Sequence, residues 1–219
     1  KQLCCYPREL VEKKYGINLL RTVMELEGIQ CYCLETTPQP KQSMCYSRSF
    51  GKTVTKYDEM RESIVFYATG ISENLRKDKQ LASAVTVYIT TNRFKNEDLQ
   101  YSNSYTLSLS EQTSSTQDIV KCAVKCLEVI FRKGYRYKKS GVILSGLVNQ
   151  KMSQGNLFSK QDDRDDRISS VMDNINKQFG SGSVKFAAEG VSNQEWKMLR
   201  GHLSKHYTTD WNELLEIKE

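Results

Sequence analysis

The stretch SAVTVYITTNRF, Ser83 to Phe94, decides the fold. Val85, Val87 and Ile89 fall on one face and Thr86, Tyr88 and Thr90 on the other, the period of two expected of a half-covered strand. Its apolar face must be covered by helices or by another sheet. The flanks supply helices. Upstream, Met60, Ile64, Tyr67, Ile71 and Leu75 recur every three to four residues, with Thr55 read as the N-cap and Asp58 three residues on. Gly70 interrupts this helix at a cost of about 1 kcal/mol relative to Ala. Before it, SMCYSRSF (Ser43 to Phe50) reads as a strand. Downstream, after the loop KNEDLQ, Tyr105, Leu107 and Leu109 alternate with Thr106, Ser108 and Ser110. A second helix starts near Ser115, with Asp118 at the capping-box position and a stripe of Ile119, Ala123, Leu127, Ile130 and Phe131. Cys122 and Cys126 flank that stripe and read as core thiols. GVILSGL, from Gly141, is the last strand. The order is β-α-β-β-α-β, a ferredoxin-like split pattern within an α+β fold.

Working outward, residues 1–35 read as two short helices. Pro7 opens the first, and Leu19, Leu20, Val23, Met24 and Leu26 line the second up to Gly28. They bury too little to stand alone and read as the end of a domain. TTPQPKQ, residues 36–42, is a tether stiffened by Pro38 and Pro40. Residues 43–150 form the α+β domain and 151–162 a polar connector. Residues 163–219 form a small α+β module or docking tail. Its helix carries Ile168, Met172, Ile175 and Phe179, GSGSVKFAAEG reads as a turn and short strand, and Trp196, Leu199, Leu203, Trp211, Leu214 and Leu215 are the later apolar positions.

Charge is segregated. Residues 1–40 are neutral, 41–150 carry +7 and 151–219 carry −1, within a total of +6. Both helices should cover one sheet face, leaving Thr86, Tyr88, Thr90, Thr106, Ser108 and Ser110 on the other. A hydroxyl-rich face on a basic domain suits phosphate contact, although an ordinary solvated sheet has the same alternation. One outward aromatic, Tyr88, is too few for base stacking and favours a duplex backbone over a single strand.

Seven cysteines without a matched framework suggest a reduced, cytosolic protein, and their spacing does not fit zinc. No apolar run is long enough to span a bilayer. KQLCCYPREL has no signal-peptide core and no initiator Met, so a longer parent is expected. His202 and His206 are four apart but lack a third ligand. DDRDD, Asp162 to Asp166, reads as a solvated tether rather than a two-metal site. No cofactor is expected in this chain, and no catalytic constellation is visible in it.

SRSFG (Ser47 to Gly51), GYRYKKSGVIL (Gly134 to Leu144), QGNLF (Gln154 to Phe158), VKFAAEG (Val184 to Gly190) and HYTTDWNELL (His206 to Leu215) occur in this order. Together they resemble the C-terminal half of UmuC-type proteins, the Y-family translesion polymerases that are catalytic subunits of bacterial DNA polymerase V. The resemblance covers essentially the whole chain. It implies a thumb end at 1–35, a tether at 36–42, a DNA-gripping little finger at 43–150 and a UmuC-type C-terminal domain at 163–219. It also implies a catalytic palm upstream, with magnesium required there. This chain would then bind primer–template DNA in SOS repair without polymerising.

The DNA contacts implied are Ser47, Arg48, Ser49 and Lys52 at the first strand, Thr90, Thr91 and Arg93 at the second, and Lys138 and Lys139 entering the last. The register of the first strand leaves open whether Arg48 or its serine neighbours face DNA. The connector resembles the pentapeptide by which bacterial polymerases dock on the sliding clamp. Gln154, Leu157 and Phe158 match it, and Gly155 replaces an apolar residue and should weaken binding. A UmuD-type subunit and the RecA filament are further partners implied. A stand-alone ferredoxin-like module for single strands, and an interaction scaffold that binds no nucleic acid, are the competing readings.

Overall fold

The computed structural model describes residues 3, 6–34, 40–95, 97–152, 163–190, 194–198, 201 and 203–214. It divides into two compact units, Lys1–Pro40 and Lys41–Glu219. In the first, helix α1 (Arg8–Tyr15) and helix α2 (Ile17–Leu26) pack Val11 against Leu20 and Val23. Gly28 (φ 86°) lets the chain leave α2 in a left-handed turn that returns the Ile29 N–H to the Met24 carbonyl, 2.9 Å away.

The second unit is built on strand β1 (Ser43–Val54), helix α3 (Tyr57–Lys77), strands β2 (Gln80–Thr91) and β3 (Ser102–Thr113), helix α4 (Thr116–Ile130) and strand β4 (Tyr137–Ser145). A two-residue strand β5 (Val148–Asn149) pairs with the start of β2. The β-α-β-β-α-β succession is as read from sequence, but the antiparallel spatial order is β1-β4-β2-β3. A ferredoxin-like sheet has its first and third strands in the centre; here β4 and β2 are central. Composition gives the reason. β3 is mostly Ser, Asn, Thr and Gln and is exposed along most of its length, so it suits an edge. β4 buries Tyr137, Ser140, Gly141, Val142 and Leu144, so it suits the middle.

Helices α3 and α4 cover one face. The α3 stripe of Met60, Ile64, Tyr67, Ile71 and Leu75 is buried, as are Ile119, Ala123, Leu127 and Ile130 of α4. Val85, Val87 and Ile89 meet them from β2, and Cys122 and Cys126 lie in the same core. Gly70 has a packing role, because a Cβ there would come within 3.0 Å of the Tyr46 ring, which stacks on Tyr67 at 5.7 Å. Ser115 caps α4, accepting from the Asp118 N–H. Thr55 does not cap α3. The chain leaves β1 at Val54 and the N-cap falls on Lys56, whose side chain makes no cap bond.

The region after 162 docks on the helix layer. Helix α5 (Asp163–Phe179) is held by its polar side. Arg76 of α3 grips Asp173 with two bonds, Nε–Oδ2 at 2.6 Å and Nη2–Oδ1 at 2.8 Å, while its Nη1 donates to the Ser114 carbonyl and Thr116 Oγ1. Asn176 bonds both the N–H and the carbonyl of Val184. The short strand expected after Gly180 is a 3-10 turn, Ala187–Glu189. Burial raises the Glu189 carboxyl above its ordinary range, against the opposing pull of a Thr69 bond, the Phe186 N–H, Lys185 and Lys197. Trp196 then inserts among Phe50, Phe66 and Tyr67, with ring centroids 6.5, 5.7 and 6.0 Å away, and its carbonyl accepts from the Gly51 N–H.

Candidate nucleic-acid interface

Strand register defines the sheet face away from the helices. Cα partners place four rows across β1, β4, β2 and β3: Ser49-Lys139-Thr90-Ser102, Ser47-Gly141-Tyr88-Ser104, Cys45-Ile143-Thr86-Thr106 and Ser43-Ser145-Ala84-Ser108. Serine and threonine dominate, so the face is low and rich in hydroxyls. Thr86 and Thr106 share a hydrogen bond of 2.8 Å. The opposite rows, Met44-Leu144-Val85-Leu107 and Tyr46-Val142-Val87-Tyr105, face the helices.

This register sorts the residues expected to contact DNA. Ser47, Ser49, Thr90 and Lys139 lie on the open face. Arg48 does not. It shares the parity of Met44, Tyr46 and Phe50, and its exposed guanidinium lies 5.4 Å from the Tyr46 ring centroid. The same parity is visible in the sequence and could have resolved the register. Thr91 also turns inward. It is buried, its hydroxyl donates to Gln100 Oε1, and the Tyr101 N–H donates to it. Lys138 is engaged within the domain, its ammonium donating to the Phe50 carbonyl at 2.5 Å. Lys52 sits in an irregular segment of β1, where the pairing register shifts between Ser49 and Val54, and its Nζ lies 3.0 Å from Glu195 Oε2, both side chains exposed.

Arg93 is exposed just past β2. With Thr90, Thr91, Gln100, Tyr101 and Ser102 it lines an open cleft of about 330 Å³ at the end of the Lys139 row. The β2–β3 loop that carries Arg93 is braced by Gln100, whose amide donates to the carbonyls of Asn92, Lys95 and Asp98. Several other cations of the basic segment are matched by acids: Lys41 by Asp78, Lys77 by Glu73 and Arg136 by Asp98. Among the described residues neither Arg93 nor Lys139 is paired with a carboxylate. They are the cations best placed to meet an anion along this edge.

Sequence reasoning missed Gly141. A Cβ there would fall 2.5 Å from Ser47 Cβ and 2.7 Å from Tyr88 Cε1, so the tyrosine ring lies across the bare backbone. An isolated glycine inside a strand is the signal for such close approach.

Gln154, Leu157 and Phe158 lie outside the described residues, as does His202. His206 bonds Glu213 instead: chiefly its backbone N–H, and then its ring Nδ1 3.0 Å from Oε2, hold the Glu213 carboxyl below its ordinary range. Among the described residues no three His, Cys, Asp or Glu side chains gather as a metal site. No described helix is long and apolar enough to cross a membrane.

Residues 41–157 match the impB/mucB/samB family C-terminal domain, and residues 166–217 match a domain of unknown function, DUF4113. The chain is 38% identical to protein UmuC of Salmonella typhimurium over 211 residues, which is 95% of this chain and 50% of that protein. It is 36% identical to protein ImpB of Salmonella typhimurium over 93% of this chain and 48% of that one. Against the putative UV-damage repair protein UvrX of Bacillus subtilis the identity is 22% over 93% of this chain and 49% of that one. The chain thus spans about half the length of these relatives. It belongs to the impB/mucB/samB family and corresponds to the C-terminal region of the UmuC-type proteins it matches.

Proposed function

We propose that this chain is the DNA-gripping, clamp-docking part of an error-prone translesion polymerase, holding primer–template duplex through its phosphate backbone. The open face carries the reading: four rows dominated by Ser and Thr, edged by Lys139 and by Arg93 with its cleft. Hydroxyls, amides and cations that reach phosphates fix a duplex in place without reading its sequence. A polymerase that copies past damaged bases needs that indifference. With one aromatic on the face, single-strand stacking has little to work with.

Catalysis and its magnesium belong, in this reading, to a part of the parent beyond this chain, which binds DNA without polymerising. The docking motif Gln154-x-x-Leu157-Phe158 supplies the hook to a sliding clamp, with Leu157 and Phe158 filling an apolar pocket on the ring. A UmuD-type subunit and RecA filament belong to the whole protein, acting in the SOS response in the cytoplasm.

Fluorescence titration of primer–template duplex against salt tests the reading. Log K should fall linearly with log salt, with the same slope for unrelated sequences. Equal affinity at low and high salt, or preference for single strands in competition, defeats it. Clamp pull-down with Leu157→Ala/Phe158→Ala should lose the ring; undiminished capture removes the docking claim.

A further inference from the structure

Tyr88 is the one aromatic on the open face, and its posture is unusual. Register sets it opposite Gly141 on β4 and Ser104 on β3. A Cβ at residue 141 would lie 2.7 Å from Tyr88 Cε1 and 2.8 Å from Cζ. The far half of the ring therefore rests on the glycine backbone and the ring lies down over β4. Two residues back along β4, Lys139 extends over it, with Nζ 5.9 Å from the ring centroid. A cation within about 6 Å of an aromatic face is attracted by the ring quadrupole. Lys139 is also flanked in its own row by Ser49 and Thr90, with Ser102 beyond.

We propose that Tyr88 is a positioning residue for Lys139. Lying flat over Gly141, it holds the lysine ammonium above the sheet beside Ser49 and Thr90, ready for a backbone phosphate. Without the ring a four-carbon stem would sample many rotamers, and ordering it on binding would weaken the contact. Gly141 is part of the same device, because any larger residue would lift the ring. The inference rests on the duplex-binding reading above and adds the residue that prepares its central cation.

The test uses the 219-residue chain with Tyr88→Phe, Tyr88→Ser, Lys139→Gln and the Tyr88→Ser/Lys139→Gln double variant. In the free protein, the Lys139 ε-methylene protons should resonate upfield from the ring current. Tyr88→Phe should keep that shift and Tyr88→Ser should abolish it. Lys139→Gln should lower the log–log salt slope of duplex binding by about 1. Tyr88→Ser should weaken binding about 2- to 5-fold, the equivalent of an exposed cation–π contact, while Tyr88→Phe binds like wild type. On the Lys139→Gln background, Tyr88→Ser should change nothing further. A Lys139 shift unaltered by Tyr88→Ser, or two losses that multiply in the double variant, overturns the inference while duplex binding stands. Wild-type protein that binds no duplex at low salt overturns the proposed function, and this inference falls with it.

Discussion

Helices α4 and α5 have similar amphipathic patterns but bury them to different extents. In α4, Ile119, Ala123, Leu127 and Ile130 are all buried against the sheet. In α5, Asp173 is gripped by Arg76 and Ser169 is buried beside the Thr116 N–H, with Met172 and Ile175 half-buried next to them, whereas Ile168, Val171 and Phe179 are 47%, 56% and 69% exposed. An apolar stripe shows that a helix has a face to cover; it does not show that the same chain covers it. The force holding each helix differs accordingly. Area removed from water, non-directional and large in sum, holds α4. In α5 the two charge-assisted hydrogen bonds from Arg76 to Asp173 supply the fixed geometry, beside the half-buried Met172 and Ile175.

The largest effect should come from truncating the apolar side of α4. Leu127 is fully buried beneath the sheet. Leu127→Ala should lower stability by about 2–5 kcal/mol, the transfer loss plus an unfilled cavity. Urea unfolding followed by far-ultraviolet circular dichroism measures it. A loss under about 1 kcal/mol would mean that α4 is held as α5 is.

This contrast also explains what the sequence makes legible. Elements whose pattern is satisfied locally were readable: the alternation of Val85, Val87 and Ile89, the α3 stripe, and the Ser115 cap all stand as expected. Features decided by long-range competition were not. The central place of β4 depends on how β3 and β4 compare as neighbours of β2, which no window along either strand contains. The inward turn of α5 depends on Arg76, 97 residues from Asp173 in sequence. Of the candidate interface, the hydroxyl face was legible because it follows from period two. Lys138 was not, because its partner is the Phe50 carbonyl on a neighbouring strand whose pairing register shifts just there. Arg48 was legible in principle, since it shares parity with Met44, Tyr46 and Phe50.

The polar anchor of α5 should give an intermediate effect. The Arg76 side chain is 12% exposed and that of Asp173 26%. Asp173→Ala would leave a shielded guanidinium with only the Ser114 carbonyl and Thr116 hydroxyl. Hydrogen bonds to charged groups contribute about 1.5–3 kcal/mol, and a loss of that size is expected. It should fall on α5 alone: amide exchange should rise across 163–179 while α3 and α4 keep their protection. A uniform rise over all three helices would show instead that α5 is integral to the core.

The smallest effect should be on the outward side of α5, where the comparison is most easily broken. Val171 and Phe179 are exposed, so replacing either with serine removes little area from contact with protein. Valine and serine have similar helix propensities, and Phe179 is the last residue of the helix, where fraying already weakens such preferences. Val171→Ser and Phe179→Ser should therefore each change stability by no more than about 0.5 kcal/mol, the range of ordinary surface substitutions. The same urea titration as for Leu127→Ala gives the scale. Should either serine cost more than about 1 kcal/mol, the outward stripe must be covered in solution by apolar contacts. The opposition between α4 and α5 would then lie in what covers each helix, because both would be held by buried area.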